Sequence, residues 1–432
     1  MSENPISILV SRRFLPLFIT QFFGAFNDNL FRQAILILIT FGMAETFSTS
    51  VGVMNNLAVG LFILPFFLFS ALAGQLADKY EKTGQIFWIK VWEIGLMIAG
   101  AIGFYLSSLP VLIVVLTGLG LQSTFFGPIK YSILPDLLAK KDLLFANAMI
   151  EAGTFLAILL GTLVGGFVMA TENGHSAIAA VTISIAVLGT LSGRMVPKTG
   201  QAAPDIKITA NIFASTKAQM QKAWACNISR RSIIGISWIW MYGSLYISQM
   251  PVIIKSHLGG DESVVTLSMA CFALGIAIGS FLCNRLLKGL ISSRLASPTF
   301  IVMLCLGVLL YVLVPAEASN IGALSALAFI QLPLNDLIMA LLLTTAICAG
   351  IVIVPLYAVL QDKTDRSERS RIIAATNICN SGFMAGGAII AALLVSFGAS
   401  TSFIFLLIAV GNIAMITITN RLSSDLKTAS KQ

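Results

Sequence analysis

Apolar residues in this chain come in long runs, and the polar residues between them come in short clusters. A helix needs about 20 residues to cross a hydrocarbon core. The runs therefore predict twelve spanning helices, at 14–43, 52–75, 84–106, 109–130, 143–169, 176–196, 233–254, 263–287, 296–314, 336–359, 371–396 and 401–420. One interruption differs in kind. Residues 197–232 open with Pro197, contain Gly200 and Pro204, and then hold an amphipathic run from Ile212 to Trp224 with Lys217 and Lys222. That pattern predicts a linker carrying a surface-lying helix. The expected fold is an all-α polytopic membrane protein. Its expected parts are a six-helix bundle at 1–196, a cytoplasmic linker at 197–232, and a second six-helix bundle with a short tail at 233–432.

The basic residues give this pattern a direction. Of the 27 Lys and Arg, all but three fall before span 1, in alternate loops, in the linker, or in the tail with Arg421, Lys427 and Lys431. The exceptions are Lys255 on the other side and Arg32 and Lys90 inside spans. Such a bias predicts N-in and C-in termini.

Composition removes other classes. With 57% hydrophobic and only 11% charged residues, the chain could not coat a soluble protein of this length. The formal charge of +8 sits in the loops, so it implies anionic membrane lipid and no nucleic acid. The first apolar stretch, Phe14 to Met43, is too long for a signal-peptide core and carries two charges. Six cysteines form no CxxC pair, and His175 and His257 offer no ligand cluster. No metal and no cofactor are expected. The spans hold no nucleophile–base pairing, so no enzymatic activity is expected.

Five ionisable residues fall inside spans and away from their ends: Asp28, Arg32, Lys90, Glu93 and Glu151. Each would cost about 2.5–3.5 kcal/mol facing lipid, so they are expected to face protein or water. Asp28 and Arg32 are i,i+4 neighbours beside Asn29. They form either an internal salt bridge or a site for a zwitterionic headgroup, with Arg32 as a planar fork for phosphate and Asp28 or Glu151 for ammonium. Lys90 and Glu93, spaced i,i+3, are either a structural pair or part of that site. Asn147 and Glu151 line span 5, Asn377 and Asn380 line span 11, and Glu151 is also a candidate proton-coupling carboxylate. The second half is a largely neutral wall, suited to an acyl chain. Small-xxx-small pairs, Gly161 with Gly165 and Gly275 with Gly279, read either as lateral gates or as tight helix packing.

Gly74-Gln75-Leu76-Ala77-Asp78-Lys79-Tyr80-Glu81-Lys82, read as the loop after span 2, resembles the G-x-x-x-D-[RK]-x-G-[RK] signature of the major facilitator superfamily. The resemblance implies that Gly74, Asp78 and Lys79 latch one conformation; Glu81 replaces the signature's glycine. It also implies that spans 5 and 8, and spans 2 and 11, face each other across the interface between halves. The halves resemble each other weakly: Gly127-Pro128 ends span 4 ahead of Asn147, and Val354-Pro355 ends span 10 ahead of Asn377. Parallel repeats of this kind occur in transporters.

Four further segments, Phe26–Ala34, Phe125–Leu138, Ala146–Gly166 and Val354–Ile378, are similar to the bacterial lysophospholipid transporter branch of that superfamily. This implies a monomeric, multi-pass inner-membrane protein that moves lysophosphatidylethanolamine-type lipids to the cytoplasmic leaflet for reacylation. The chain stops soon after span 12, so a separate acyltransferase or acyl-carrier-protein synthetase is the expected partner. Two other functions stay open: proton-coupled transport of a small soluble or drug-like molecule, and a membrane scaffold that recruits an acyltransferase.

Overall fold

The computed structural model describes residues 5–42, 51–315 and 323–429. Met43, the expected end of span 1, and Lys431 of the basic tail lie outside the described residues. Among them the fold is all helical, apart from one isolated bridge between Gly260 and Leu324. In chain order the first eight helices are α1 (Pro5–Leu9), α2 (Leu15–Ile37), α3 (Val51–Lys79), α4 (Lys82–Tyr105), α5 (Leu109–Ser132), α6 (Leu134–Leu137), α7 (Leu143–Met169) and α8 (Gly174–Arg194). There follow α9 (Ile212–Ala225), α10 (Asn227–Ser256), α11 (Glu262–Leu287), α12 (Ala296–Leu313), α13 (Ala326–Ile330), α14 (Pro333–Asp362), α15 (Arg369–Ser396) and α16 (Thr401–Ala429).

Ten of these are long and apolar enough to cross a membrane. The other two long helices, α2 and α10, occupy the places of predicted spans 1 and 7 and are more polar along their length. Large apolar side chains project outward from many helices: Trp88, Val114, Phe167, Val312 and Ile389 are all exposed. In water such a surface would drive association; in lipid it is the solvated surface.

Several helices outrun the apolar run that predicted them. The Gly74–Lys79 stretch, expected in a loop, forms the last turns of α3. The helix can continue because backbone hydrogen bonding there is internal and does not depend on lipid. Pro128 and Pro355, expected to end their spans, lie inside α5 and α14, which run on to Ser132 and Asp362. Neighbouring helices and local adjustment satisfy the groups that a proline frees.

Packing divides the chain into two compact units. One comprises Met1–Ala146, Leu156–Ala223 and Thr364–Ser381; the other comprises Asn147–Phe155, Trp224–Lys363 and Gly382–Gln432. In the first unit α3 packs on α5, and α8 packs on both α4 and α2. Its core holds Leu30, Phe31, Met97, Phe104, Leu112 and Leu119. In the second, α11 packs on α14, and α16 packs on both α12 and α10. Span by span, these are the same pairings displaced by six, which is the packing expected of parallel repeats.

Glycines set the closest approaches. A Cβ on Gly279 of α11 would sit 2.0 Å from the Ile347 carbonyl oxygen of α14, and one on Gly350 would sit 2.4 Å from the Ile276 carbonyl oxygen. By contrast, nothing lies within 4 Å of that position at Gly60. Gly279→Ala should therefore lower stability by about 1–3 kcal/mol, the usual cost of overpacking. Gly60→Ala should leave it unchanged or slightly raised, because alanine has the better helix propensity. Thermal unfolding in detergent, followed by size-exclusion fluorescence, checks both.

Candidate functional site

The polar face of α2 is the centre of the intramembrane chemistry. Gln21, Asn27, Asp28 and Asn29 are buried on it, and Arg32 is half-buried. The Asp28 carboxylate accepts a hydrogen bond from Ser123 Oγ of α5 at 2.5 Å. Its other oxygen, Oδ1, has no hydrogen-bond partner although it is buried. Arg32 Nη2 donates to Asn29 Oδ1 at 2.6 Å, while Asn29 Nδ2 donates to the Ala25 carbonyl at 2.7 Å. Asn29 thus holds the guanidinium from behind, so the fork is oriented by the helix it sits on.

Lys90 and Glu93 of α4 form a fully buried ion pair. The carboxylate is then completed by amides: Asn27 Nδ2 donates to Oε1 at 3.0 Å and Gln122 Nε2 to Oε2 at 3.1 Å. The ammonium stem is enclosed by glycines. A Cβ on Gly24 of α2 would meet Lys90 Nζ at 3.3 Å, and one on Gly189 of α8 would meet Lys90 Cε at 2.9 Å. The pair joins α2, α4, α5 and α8 through one cluster, in which Asn27 Oδ1 alone of these groups' oxygens is buried without a partner.

The remaining candidate residues fall into two other groups. In the second unit, Asn147 and Gln361 are fully buried and exchange two hydrogen bonds, Nδ2 to Oε1 at 2.7 Å and Nε2 to Oδ1 at 3.0 Å. Glu151 is buried one turn further along α7. In the first unit, Asn377 and Asn380 lie on α15. Asn377 Nδ2 would be 2.7 Å from a Cβ on Gly127 of α5, and Asn380 is buried.

The motif residues at the end of α3 meet the start of α15. Asp78 is fully buried and accepts from the backbone N–H groups of Ser370 at 3.0 Å and Arg371 at 3.2 Å, and from Arg371 Nε at 3.0 Å. It therefore caps α15 from another helix. Gly74 permits the approach, since a Cβ there would lie 2.6 Å from Ala374 Cβ. Lys79 Nζ donates to the Ile206 carbonyl at 2.9 Å. Beside them, Asp136 takes Lys82 at 2.7 Å, Arg369 at 3.2 Å and Arg366 at 3.3 Å, and Ser370 Oγ donates to Ser132 Oγ at 2.8 Å.

Glu81 fills the signature's glycine position without strain, at φ −61° and ψ 124°. Its carboxylate caps α4, accepting from Thr83 N at 3.0 Å and Gly84 N at 2.7 Å, and also accepts from Thr199 N at 3.2 Å. Partial burial works to raise its pKa, but these backbone donors outweigh it and hold the group below its ordinary value.

The glycine pairs read either as lateral gates or as tight helix packing lie against neighbouring helices. A Cβ on Gly161 would lie 2.4 Å from the Phe26 carbonyl oxygen and one on Gly165 2.6 Å from that of Leu30, so both seat α7 on α2. Gly275 and Gly279 seat α11 on α14. Their Cα faces are filled by close helix contacts, as in tight packing.

Sequence reasoning missed Asn27, Gln122, Ser123, Lys82, Asp136 and Gln361. A Gln-Ser-Thr run inside the apolar stretch of span 4 was the available signal for Gln122 and Ser123. In the sequence Arg366, Arg369 and Arg371 count only among the basic residues of the loops, and Asp136 carries no signal of its own.

Comparison with known proteins places this geometry. The family model described as Major Facilitator Superfamily matches residues 17–330 and 244–429. A protein named Lysophospholipid transporter LplT from Pectobacterium carotovorum subsp. carotovorum is 29% identical over 390 residues, covering 88% of this chain and 86% of that one. Its namesake from Serratia proteamaculans is 29% identical over 367 residues, covering 84% and 83%. Among solved structures, the human organic anion transporter MFSD10 superposes with a TM-score of 0.75 at 12% identity, covering 94% of this chain and 99% of that one. A bacterial homologue of the iron transporter ferroportin gives a TM-score of 0.70 at 14% identity, with the same coverage. At these identities the structures are evidence of fold alone.

The buried pair on α4 yields a stability test. Lys90→Met leaves Glu93 charged and buried, and should cost about 3–5 kcal/mol. Adding Glu93→Gln removes that charge and keeps one acceptor oxygen, which can serve Asn27 as before, so the double variant should recover part of the loss. Unfolding midpoints of the two variants in detergent give the comparison.

Proposed function

The chain belongs to the major facilitator superfamily, and from that premise we propose that it transports lysophospholipids across the bacterial inner membrane. Its LplT-named relatives support this substrate class over most of the chain. The reading is completed by twelve crossings with both termini in the cytoplasm, which the alternation of basic loops supports. Lysophosphatidylethanolamine-type lipids move by alternating access toward the cytoplasmic leaflet. There an acyltransferase or acyl-carrier-protein synthetase reacylates them. The transporter works as a monomer.

The observation that carries the headgroup assignment is the unequal state of two buried carboxylates. Glu93 has both oxygens engaged, whereas Asp28 keeps Oδ1 without a partner. An unpartnered buried acceptor is costly, and an ammonium group would complete it. Arg32, held by Asn29, presents the planar fork that suits the adjacent phosphate. Lys90 and Glu93 position the α2 face that carries these groups. At the other end of α3, the contacts of Asp78 and Asp136 with residues 366–371 latch the cytoplasmic end shut. Their release admits that end to the cytoplasm.

The test is inward movement of labelled lysophosphatidylethanolamine in proteoliposomes, with and without an imposed proton gradient. Wild-type protein should move the lipid without a gradient, and Asp28→Asn and Arg32→Ala should each slow it at least tenfold. A strict requirement for the gradient would favour the proton-coupled reading. Absence of movement by a folded wild type would point to a soluble substrate, and unaltered movement in both variants would remove the headgroup site from α2.

A further inference from the structure

Between Thr199 and Lys222 the chain does not simply leave for water; it runs along the flank of α3. Ala203 N donates to the Asp78 carbonyl at 2.7 Å, and Lys79 Nζ to the Ile206 carbonyl at 2.9 Å. Thr209 N donates to Gln75 Oε1 at 2.8 Å, and Gln219 Nε2 to the Ala71 carbonyl at 2.6 Å. The points of attachment climb from Lys79 to Ala71, about two turns of α3. α9 then reaches α15: Met220 Sδ lies 4.0 Å from Cys379 Sγ, and Lys222 pairs with Glu368. Directly beside this path α3 and α15 touch at Gly74 and Ala374. α9 lies over the line where those two helices meet.

The two faces of α9 are built differently. Its inner face is Ser215, Gln219 and Ala223, small or polar and buried. Two buried atoms beneath it, Thr216 Oγ1 and Gln219 Oε1, have no hydrogen-bond partner. A face with little apolar area and unmet polar groups is held weakly. Outward, Phe213 is 80% exposed and Lys217 is exposed, a pairing suited to an anionic membrane surface.

We propose that α9 is a releasable strap over the α3–α15 seam, and that lifting it opens the seam sideways so that a lipid tail passes into the cytoplasmic leaflet. The proposal rests on the lysophospholipid reading, because only a substrate whose tail stays in the bilayer needs a lateral exit. Phe213 and Lys217 keep the lifted strap on the membrane surface, so that it can re-seat.

The native Cys379 supplies the test. Met220→Cys, in a chain whose five other cysteines are replaced by alanine or serine, places a thiol beside it. Oxidation in proteoliposomes should cross-link the strap to α15 and slow lysophosphatidylethanolamine movement at least tenfold, with recovery on reduction. The chain bearing Cys379 alone should be indifferent to oxidant. Cross-linked protein that moves lipid at the reduced rate overturns the proposal and leaves the transport reading intact. A second readout needs no transport: Gln219→Ala with Lys222→Ala should raise N-ethylmaleimide labelling of Cys379 several-fold in that single-cysteine chain. Equal labelling in the two chains also overturns it. If the reduced protein moves no lysolipid, the transport reading fails and labelling alone decides the strap.

Discussion

A carboxylate buried at the start of a helix organises one end of the first unit. The first N–H groups of any helix lack intrahelical acceptors, and the helix dipole places partial positive charge there. Asp78 has the complementary problem, a full negative charge without water. By accepting from the N–H groups of Ser370 and Arg371 and from the Arg371 side chain, it resolves both. The geometry demands near contact of backbones, which is why position 74 is glycine. Asp136, bridging Lys82, Arg366 and Arg369, fixes the same helix start from a second direction.

Deeper in the unit, the contrast between complete and incomplete polar clusters separates scaffold from chemistry. The Lys90–Glu93 pair takes in amides from α2 and α5, so that both Glu93 oxygens are engaged, while Asn27 keeps Oδ1 without a partner. Such a cluster ties four helices together. Asp28, one residue from an amide of that cluster, is served by a single hydroxyl. The low dielectric that makes the first cluster strong makes the second expectant.

The sequence was most informative where a single physical rule dominates. Bilayer thickness sets the length of apolar runs, so helices long and apolar enough to cross appear at ten of the twelve predicted places among the described residues, and the burial of Asp28, Lys90, Glu93 and Glu151 follows from the cost of exposing charge to lipid. Boundaries were less legible, because hydropathy reports where lipid ends while the helix of Gly74–Lys79 is maintained by hydrogen bonds that continue past it. Partners were least legible. Nothing in the spacing of Gly161 and Gly165 says which neighbour fills their faces, and the packing that puts α2 there is a property of the whole unit. Likewise Gln361 lies too near the loop charges to read as a buried amide, and only its position opposite Asn147 gives it meaning.

The fastenings in this protein are of two electrical kinds. The one at Asp136 gathers fixed charges, and a charge carried through a membrane potential changes energy by about 2.3 kcal/mol per 100 mV. Asn147 and Gln361 form the other kind. Their pair has no net charge, and turning both amides over restores the same two hydrogen bonds with donors and acceptors exchanged. It can open and close with no gating charge of its own, blind to voltage and to ionic strength. A fastening of that sort adds no voltage dependence of its own to the α7–α14 contact.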